Sequence, residues 1–221
     1  MKENDFPGTL IVVEGPDGSG TTTQAEKLAD ELEGVYTAEP TGGLVGEKVE
    51  EMISTGGYSP EAISLAFASD RMLHLEEEVI ELLKEGEVVI MDRYYHSSLV
   101  YQPALGADYG WVQDLNKDAV KPDITFVLDV SSREALKRIE DRENDIAESA
   151  VEEGRDQASL SQFDSGQNIF ENLSFQEEVI TRYRRLPERL DEEIILIDSS
   201  RHIEKVFQEV KDKAFARLDL D

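Results

Sequence analysis

The feature that most constrains the fold is an apolar run followed by a glycine-rich segment and then by an amphipathic stretch. Thr9–Glu14 is a β-branched run of strand length, and Thr22–Leu32 follows with helical periodicity. Between them stand Gly15, Gly18 and Gly20. The sequence therefore predicts a buried strand, a glycine loop and a helix near the N-terminus.

The same alternation of strand-like and helix-length segments continues along the chain. Four further strands are predicted, at about Val35–Ala38, Val88–Asp92, Ile124–Asp129 and Ile194–Ile197. The longest predicted helices are Pro60–Lys84, Arg133–Arg142, Phe170–Leu186 and Arg201–Leu218. Because strands joined by helical crossovers form parallel sheets covered on both faces, we expect a three-layer α/β fold with a five-stranded sheet, in one domain over residues 1–221.

One stretch, residues 143–167, fits neither a strand nor an ordinary connection. It is polar, rich in Glu, Ser, Asp and Gly, and longer than most loops of compact domains. The sequence predicts either a lid or a mobile insertion at this place.

The composition excludes several classes of protein. The chain has 49 Asp and Glu against 22 Lys and Arg, a formal net charge of −27, so a broad surface for nucleic acid or anionic lipid is missing. Absence of cysteine excludes disulfides and thiolate metal sites. Without an apolar run of spanning length or a signal peptide, a cytoplasmic location is expected. Since salt screens repulsion between carboxylates, we expect a halophilic, salt-adapted protein; the alternative is an acidic protein with ordinary salt needs.

The glycine segment has the spacing of a phosphate-binding loop, with one departure. Gly15–Thr22 matches that pattern except that Thr21 stands where the lysine is usual. Backbone N–H groups of such a loop converge on phosphates at a helix N-terminus, and the Thr22 hydroxyl would bind Mg²⁺. A tight turn with Thr21 or Thr22 as helix N-cap is the alternative. The residues predicted to bind the ATP phosphates are Gly15, Gly18, Ser19, Gly20, Thr21, Thr22 and Thr23.

Two pairs of residues further along suit a nucleotide. Phe67 and Arg71 lie four apart on one predicted helix, where a ring can stack on a base and a guanidinium can bind phosphate. A core phenylalanine beside a surface arginine is the alternative. Asp92 and Arg93 end an apolar strand, where open α/β sheets bind ligands, so Asp92 is a second candidate for Mg²⁺. A structural Asp–Arg pair is the alternative there.

These segments together resemble the thymidylate kinase family of P-loop kinases. The segments that carry the resemblance are Glu14–Thr23, Phe67–Arg71, Asp92–Gln102 and Pro122–Asp129. The resemblance implies a P-loop NTPase-type fold and transfer of the γ-phosphoryl group of ATP to dTMP with Mg²⁺. It also implies a homodimer.

The resemblance assigns roles on the acceptor side. It implies that Phe67 stacks on thymine and that Arg71 and Arg93 hold the monophosphate. It places Ser98 and Gln102 near the edge of the base.

It also assigns two residues around the sugar. Tyr101 matches a tyrosine that crowds the sugar 2′ position and favours deoxyribose. Asp17 matches an acidic residue that contacts the sugar 3′-hydroxyl or the metal shell.

Three departures from the family remove positive charge from places that handle phosphate. They are Thr21 in place of lysine, the absence of a basic residue in Ala38–Thr41, and Asn168–Glu171 in place of an Asp-Arg-Phe-Glu run. A substitute charge is therefore expected from Arg155 or Arg142 on lid closure, or from a bound K⁺. With Asp17 and Arg93, these two arginines complete the predicted catalytic set.

Two other functions remain open from the sequence. One is a related kinase for another deoxynucleoside or its monophosphate. The other is a catalytically weak, nucleotide-binding regulatory protein. The histidines His74, His96 and His202 show no metal-ligand spacing, and the sequence assigns them no chemistry.

Overall fold

A computed structural model describes residues 1–152 and 173–218, and all five predicted strands form in it. The strands are β1 (Thr9–Glu14), β2 (Val35–Ala38), β3 (Val88–Asp92), β4 (Ile124–Asp129) and β5 (Ile194–Asp198). They pair in parallel in the order β2-β3-β1-β4-β5, which places β1 at the centre. Five of its six residues are buried, as expected for a parallel strand covered on both faces.

Helices connect the strands and cover the sheet. In the described ranges they are α1 (Thr21–Leu32), α2 (Leu44–Thr55), α3 (Pro60–His74), α4 (Ile80–Glu85), α5 (Tyr95–Ala104), α6 (Tyr109–Leu115), α7 (Ser132–Glu152), α8 (Leu173–Arg184), α9 (Leu186–Arg189) and α10 (Ile203–Leu218). A π-helical turn, Leu75–Val79, joins α3 to α4. The predicted helix Pro60–Lys84 is therefore continuous but contains an irregular turn.

Two apolar clusters lie on opposite faces of the sheet. On one face α1 and α10 pack through residues such as Leu28 and Val210. On the other face α4, α5 and α8 pack through Leu83, Leu99 and Val179. These three layers confirm the predicted α/β fold. Within residues 1–152 and 173–218, no helix is both long and apolar enough to cross a membrane.

The predicted end of α7 at Arg142 is wrong. The helix continues to Glu152, so the first ten residues of the segment 143–167 belong to it. Residues 143–152 contain neither proline nor glycine and include three glutamates and two alanines, which favour helix even where the apolar periodicity is weak. The rest of the predicted lid, and the start of the predicted helix at Phe170, lie outside the described residues.

Candidate functional site

The glycine loop joins β1 to α1 at the carboxyl edge of the sheet. Gly18 and Gly20 have φ angles of +79° and +95°, which side chains other than glycine rarely adopt. The helix N-cap is Gly20, and no side chain caps it. The alternative in which Thr21 or Thr22 caps the helix is therefore wrong. Since the N–H groups of the first turn keep no side-chain cap, they suit an anion.

The side chains of the loop divide into a buried and an exposed set. Ser19 and Thr21 are buried, and Ser19 Oγ has no hydrogen-bond partner among the described residues. Thr22 and Thr23 are exposed on the first turn of α1. The loop thus presents backbone amides and two threonine hydroxyls to a ligand, with no ammonium group at position 21.

A threonine and an aspartate meet beside this loop. Thr22 Oγ1 donates a 2.6 Å hydrogen bond to Asp92 Oδ2 at the end of β3, and the Tyr36 hydroxyl lies 3.5 Å from the same oxygen. Burial and then the Asp92 carboxylate raise the pKa of Tyr36 to about 12, so this hydroxyl keeps its proton.

The same pair of residues suits Mg²⁺. Asp92 Oδ1 is buried and has no hydrogen-bond partner in the described part of the chain. Mg²⁺ takes one or two carboxylates together with water and substrate phosphates. The described residues contain no group of three or more His, Asp or Glu placed to hold a metal, so a phosphate-bound Mg²⁺ at Thr22 and Asp92 fits better than an all-protein cage.

Arg93 follows β3 and reaches across to the glycine loop. Its Nη1 donates to the Gly15 carbonyl at 3.1 Å and to Ser97 Oγ at 3.3 Å. Its Nη2 donates to Asp17 Oδ1 at 2.7 Å. Burial opposes the charge, but Tyr101 and then Asp17 raise the pKa of Arg93 above its ordinary range. A permanent cation therefore lies at the mouth of the loop.

A buried carboxylate beneath the loop holds this arrangement together. Glu14, fully buried, accepts hydrogen bonds from the backbone N–H groups of Tyr94 and Ser97 at 2.7 and 3.1 Å. The hydroxyls of Ser97 and Tyr183 donate to its other oxygen at 2.7 and 2.9 Å. Glu14 therefore fixes the start of α5, and with it Arg93, against β1.

Arg71 lies in a separate part of the site. It is 1% exposed, and its Nε and Nη2 lie 2.8 and 2.7 Å from Glu39 Oε2. Its Nη1 donates to Asn116 Oδ1 and to Ser98 Oγ, at 2.5 and 3.3 Å. The structure thus brings Arg71 to Ser98, whereas Arg93 contacts the loop.

The remaining predicted acceptor residues lie on α3 and α5. Phe67 is half-buried, and Ser98 and Gln102 are buried. The Tyr101 hydroxyl accepts a 3.2 Å hydrogen bond from the backbone N–H of Asp17. Burial and then the Asp17 carboxylate raise the pKa of Tyr101, so the phenol stays neutral. A polar pocket wall therefore continues from the loop along α5.

Of the predicted lid arginines, one is described. Arg142 is exposed on α7, and Arg155 lies outside the described residues. One arginine that the sequence reading missed touches the loop: Arg138 Nη1 lies 3.5 Å from the Gly18 carbonyl, and its Nη2 donates to the Ser199 carbonyl at 3.0 Å. Arg138 lies four residues before Arg142 and therefore on the same face of α7, so the sequence could have indicated that both arginines approach the loop.

Several other residues of the site were missed by sequence reasoning. They are Tyr36, Glu39 and Asn116, which contact Asp92 or Arg71, and Glu14 and Tyr183, which hydrogen-bond to each other beneath the loop. Glu14 and Glu39 lie within the segments Glu14–Thr23 and Ala38–Thr41, but nothing in the sequence indicates that their carboxylates are buried. The other three come from distant parts of the chain, and only the strand order brings them here.

The comparisons with known proteins agree with this geometry. The thymidylate kinase family matches residues 13–210. A probable thymidylate kinase of Methanococcus aeolicus is 36% identical over 206 residues, which cover 91% of this chain and 93% of that protein. Probable thymidylate kinases of Methanococcus vannielii and Thermococcus kodakarensis are each 44% identical, over 139 and 147 residues, covering 63% and 60% of this chain and 69% and 72% of theirs. The chain belongs to the thymidylate kinase family.

Proposed function

We propose that the protein transfers the γ-phosphoryl group of ATP to dTMP, giving dTDP and ADP. The observation that carries the proposal is the contact of Arg93 with Asp17 and Gly15, because it joins the predicted acceptor motif to the donor loop. The acceptor is already a phosphate anion, so no strong general base is needed. The main tasks are in-line alignment and neutralisation of charge.

The donor side is assigned to the loop and its two oxygen ligands. Backbone N–H groups at the start of α1 bind the phosphates of ATP, and Thr22 and Asp92 hold Mg²⁺. When bound, Mg²⁺ neutralises charge on the transferred group. The pairing of Thr22 with Asp92 Oδ2 orients both side chains before the nucleotide arrives.

The acceptor side is assigned to α3 and α5. Phe67 stacks on the thymine ring, Ser98 and Gln102 face the base edge, and Tyr101 limits room at the sugar 2′ position. Glu39 balances the charge of Arg71, which also lies beside Ser98. This environment favours contact with the base edge over the monophosphate contact that the sequence predicts for Arg71.

Arg93 is the strongest substitute in the described residues for the missing lysine. Its guanidinium donates to the carbonyl of Gly15, the first residue of the loop. Its charge would therefore face the place where the donor and acceptor phosphates meet. Arg142 or Arg155 can add a second charge when the lid segment closes. A K⁺ ion at molar salt is the remaining substitute.

An acceptor panel tests the proposed reaction. The protein is incubated with ATP, Mg²⁺ and one of dTMP, dUMP, dCMP, dAMP or thymidine, and the products are separated by ion-exchange chromatography. We expect dTDP from dTMP and little product from the others. Product mainly from another acceptor would support the related kinase. Binding of dTMP with no product from any acceptor would support the regulatory protein.

We further propose that the protein is a homodimer that pairs through α3. Leu65 and Leu73 lie about two turns apart on this helix and are 53% and 40% exposed. A second copy would cover both side chains. Sedimentation equilibrium should give twice the chain mass, and the double variant Leu65→Glu, Leu73→Glu should give the chain mass. A wild-type monomer at micromolar concentration would contradict this proposal.

We also propose that the protein works in a salt-rich cytoplasm. The net charge of −27 destabilises the compact state through repulsion at low ionic strength. Molar salt shortens the Debye length to about 3 Å and removes most of that repulsion.

A further inference from the structure

The carboxylate of Glu39 lies between two side chains of α3. Its Oε2 pairs with Arg71, and its Oε1 lies 3.3 Å from His74 Nδ1. The side chains of all three residues are 2% exposed. Arg71 and His74 are three residues apart, which puts both on the face of α3 that meets the turn after β2.

His74 is held at its other nitrogen as well. Nε2 lies 2.7 Å from Thr37 Oγ1 on β2 and 3.6 Å from Glu78 Oε2 on the π-helical turn. Because a carboxylate can only accept, the hydrogen facing Glu39 belongs to Nδ1 of His74. In the neutral imidazole Nε2 then accepts the hydrogen of the Thr37 hydroxyl. The ring thereby connects β2 to Glu39.

The backbone of Glu39 is fixed by a separate contact. Its N–H donates to the carbonyl of Asp92 at 3.1 Å, at the end of β3. The backbone position is therefore set by the sheet, and the direction of the carboxylate is set by Arg71 and His74. Without the imidazole, Oε1 would be a buried acceptor with no donor among the residues that the structure describes, and the carboxylate could turn away from the guanidinium.

We propose that His74 is a positioning residue for the acceptor site, acting through Glu39 on Arg71. It fixes the Glu39 carboxylate, which in turn holds the guanidinium of Arg71 in the orientation that receives dTMP. This inference rests on the proposed function, because it assigns Arg71 to the acceptor. A hydrogen bond weakens steeply as its donor angle departs from linearity, so a small rotation of the Arg71 guanidinium would weaken its contact with dTMP.

Two amide variants separate this role from a general structural one. In His74→Asn the side-chain NH₂ lies close to the place of Nδ1 and can still donate to Glu39. In His74→Gln the NH₂ lies close to the place of Nε2, so the contact with Glu39 is lost. The two variants are matched in polarity and both remove the imidazole.

The measurements are KM for dTMP, KM for ATP, kcat and the dissociation constant of dTMP by calorimetry, with folding checked by circular dichroism. We expect His74→Gln to raise KM and the dissociation constant for dTMP about tenfold, with kcat and KM for ATP within about twofold of wild type. We expect His74→Asn to stay within about threefold in every constant.

The contact between His74 and Thr37 provides a control variant. Thr37→Val removes the outer contact of His74 and should raise KM for dTMP less than His74→Gln does. Equal effects of the Asn and Gln variants, or a loss that falls on kcat or on KM for ATP, would overturn the inference. Failure of the proposed function is distinct, because the wild-type protein would then form no dTDP.

Discussion

Arg93 Nη2 donates a 2.7 Å hydrogen bond to Asp17 Oδ1, which joins the end of β3 to the loop that follows β1. The two residues are 76 positions apart in the chain. Arg93 has a φ angle of +65°, an uncommon conformation for a residue with a side chain, and its N–H donates to the Val13 carbonyl at 3.0 Å. Such conformations concentrate at functional sites, where the surrounding structure maintains them.

Replacement of this arginine should reveal whether it substitutes for the loop lysine. Arg93→Gln should lower kcat/KM at least about a thousandfold, because in the proposed reaction the lost charge would face the transferred phosphoryl group. Adding Thr21→Lys to this variant should raise its kcat at least about tenfold, because an ammonium group returns to the loop. Steady-state kinetics with dTMP measures both effects.

The matched control for this pair is Thr21→Lys combined with Arg71→Gln. The ammonium lies on the donor side, so it should not restore activity lost at Arg71. Equal rescue of both arginine variants, or none of Arg93→Gln, would mean that another group supplies the charge.

Replacing the Asp92 carboxylate, whose Oδ1 has no hydrogen-bond partner in the described part of the chain, should weaken the proposed magnesium site. Asp92→Asn replaces one carboxylate oxygen by an NH₂ group, so the Mg²⁺ concentration for half-maximal activity should rise at least about tenfold and kcat should fall about a hundredfold. Magnesium titrations at fixed ATP measure the change. Asp30→Asn, at an exposed position of α1, is the control and should behave as wild type. An unchanged magnesium requirement in Asp92→Asn would exclude Asp92 from the metal site.

A buried contact between a carboxylate and an imidazole behind the site should make stability depend on pH. Glu192 Oε2 lies 2.8 Å from His96 Nε2, and both side chains are almost fully buried. Burial alone would raise the pKa of Glu192, but the hydrogen bonds from His96 and Tyr95 outweigh it and hold the pKa below its usual value of 4.5. Because the folded-state pKa is lowered, the contribution to stability is present above pH 4.5 and is lost as the pH falls through the lower, folded-state pKa.

The variant Glu192→Gln should show this dependence. At pH 7 its free energy of unfolding should be about 1 to 2 kcal/mol below that of wild type. The difference should shrink as the pH falls below 4.5. Denaturant unfolding in molar KCl at several pH values provides the comparison. A difference that is constant with pH would show that the carboxylate charge does not stabilise the fold.

The acidic surface should make folding depend on salt. Raising KCl from low to molar concentration should raise the thermal midpoint by at least about 5 °C, because screening removes repulsion that acts only in the compact state. Calorimetry at several KCl concentrations measures the midpoint. A matched series with sucrose controls for stabilisation by solutes that are excluded from the protein surface. A flat midpoint in KCl would favour an acidic protein with ordinary salt needs.

The sheet and the main motifs were predictable because they depend on local patterns. β1 is an apolar run that ends at glycines, and Asp92 and Arg93 end another such run at the edge where ligands bind. The strand order was not predictable, since it depends on which crossovers pack together. Without the strand order, the contacts of Thr22 with Asp92 and of Arg93 with Asp17 cannot be predicted.

The burial of the charged residues of the site could not be predicted from the sequence either. Glu39 follows a short strand in a chain with 49 acidic residues, and nothing distinguishes it from a surface glutamate. Its burial against Arg71 depends on the packing of α3 onto the turn after β2. His74 was assigned no chemistry for the same reason, because its partners come from two other elements.

The proposed reaction is tested most directly by a single-turnover experiment with enzyme in excess over γ-³²P-labelled ATP, with Mg²⁺, dTMP and molar KCl. The label should move to dTDP at a rate of at least about 1 s⁻¹, typical of kinases, in spite of Thr21. Label that stays on ATP, in folded protein that binds dTMP, would exclude the kinase reaction and leave a nucleotide-binding protein without kinase activity.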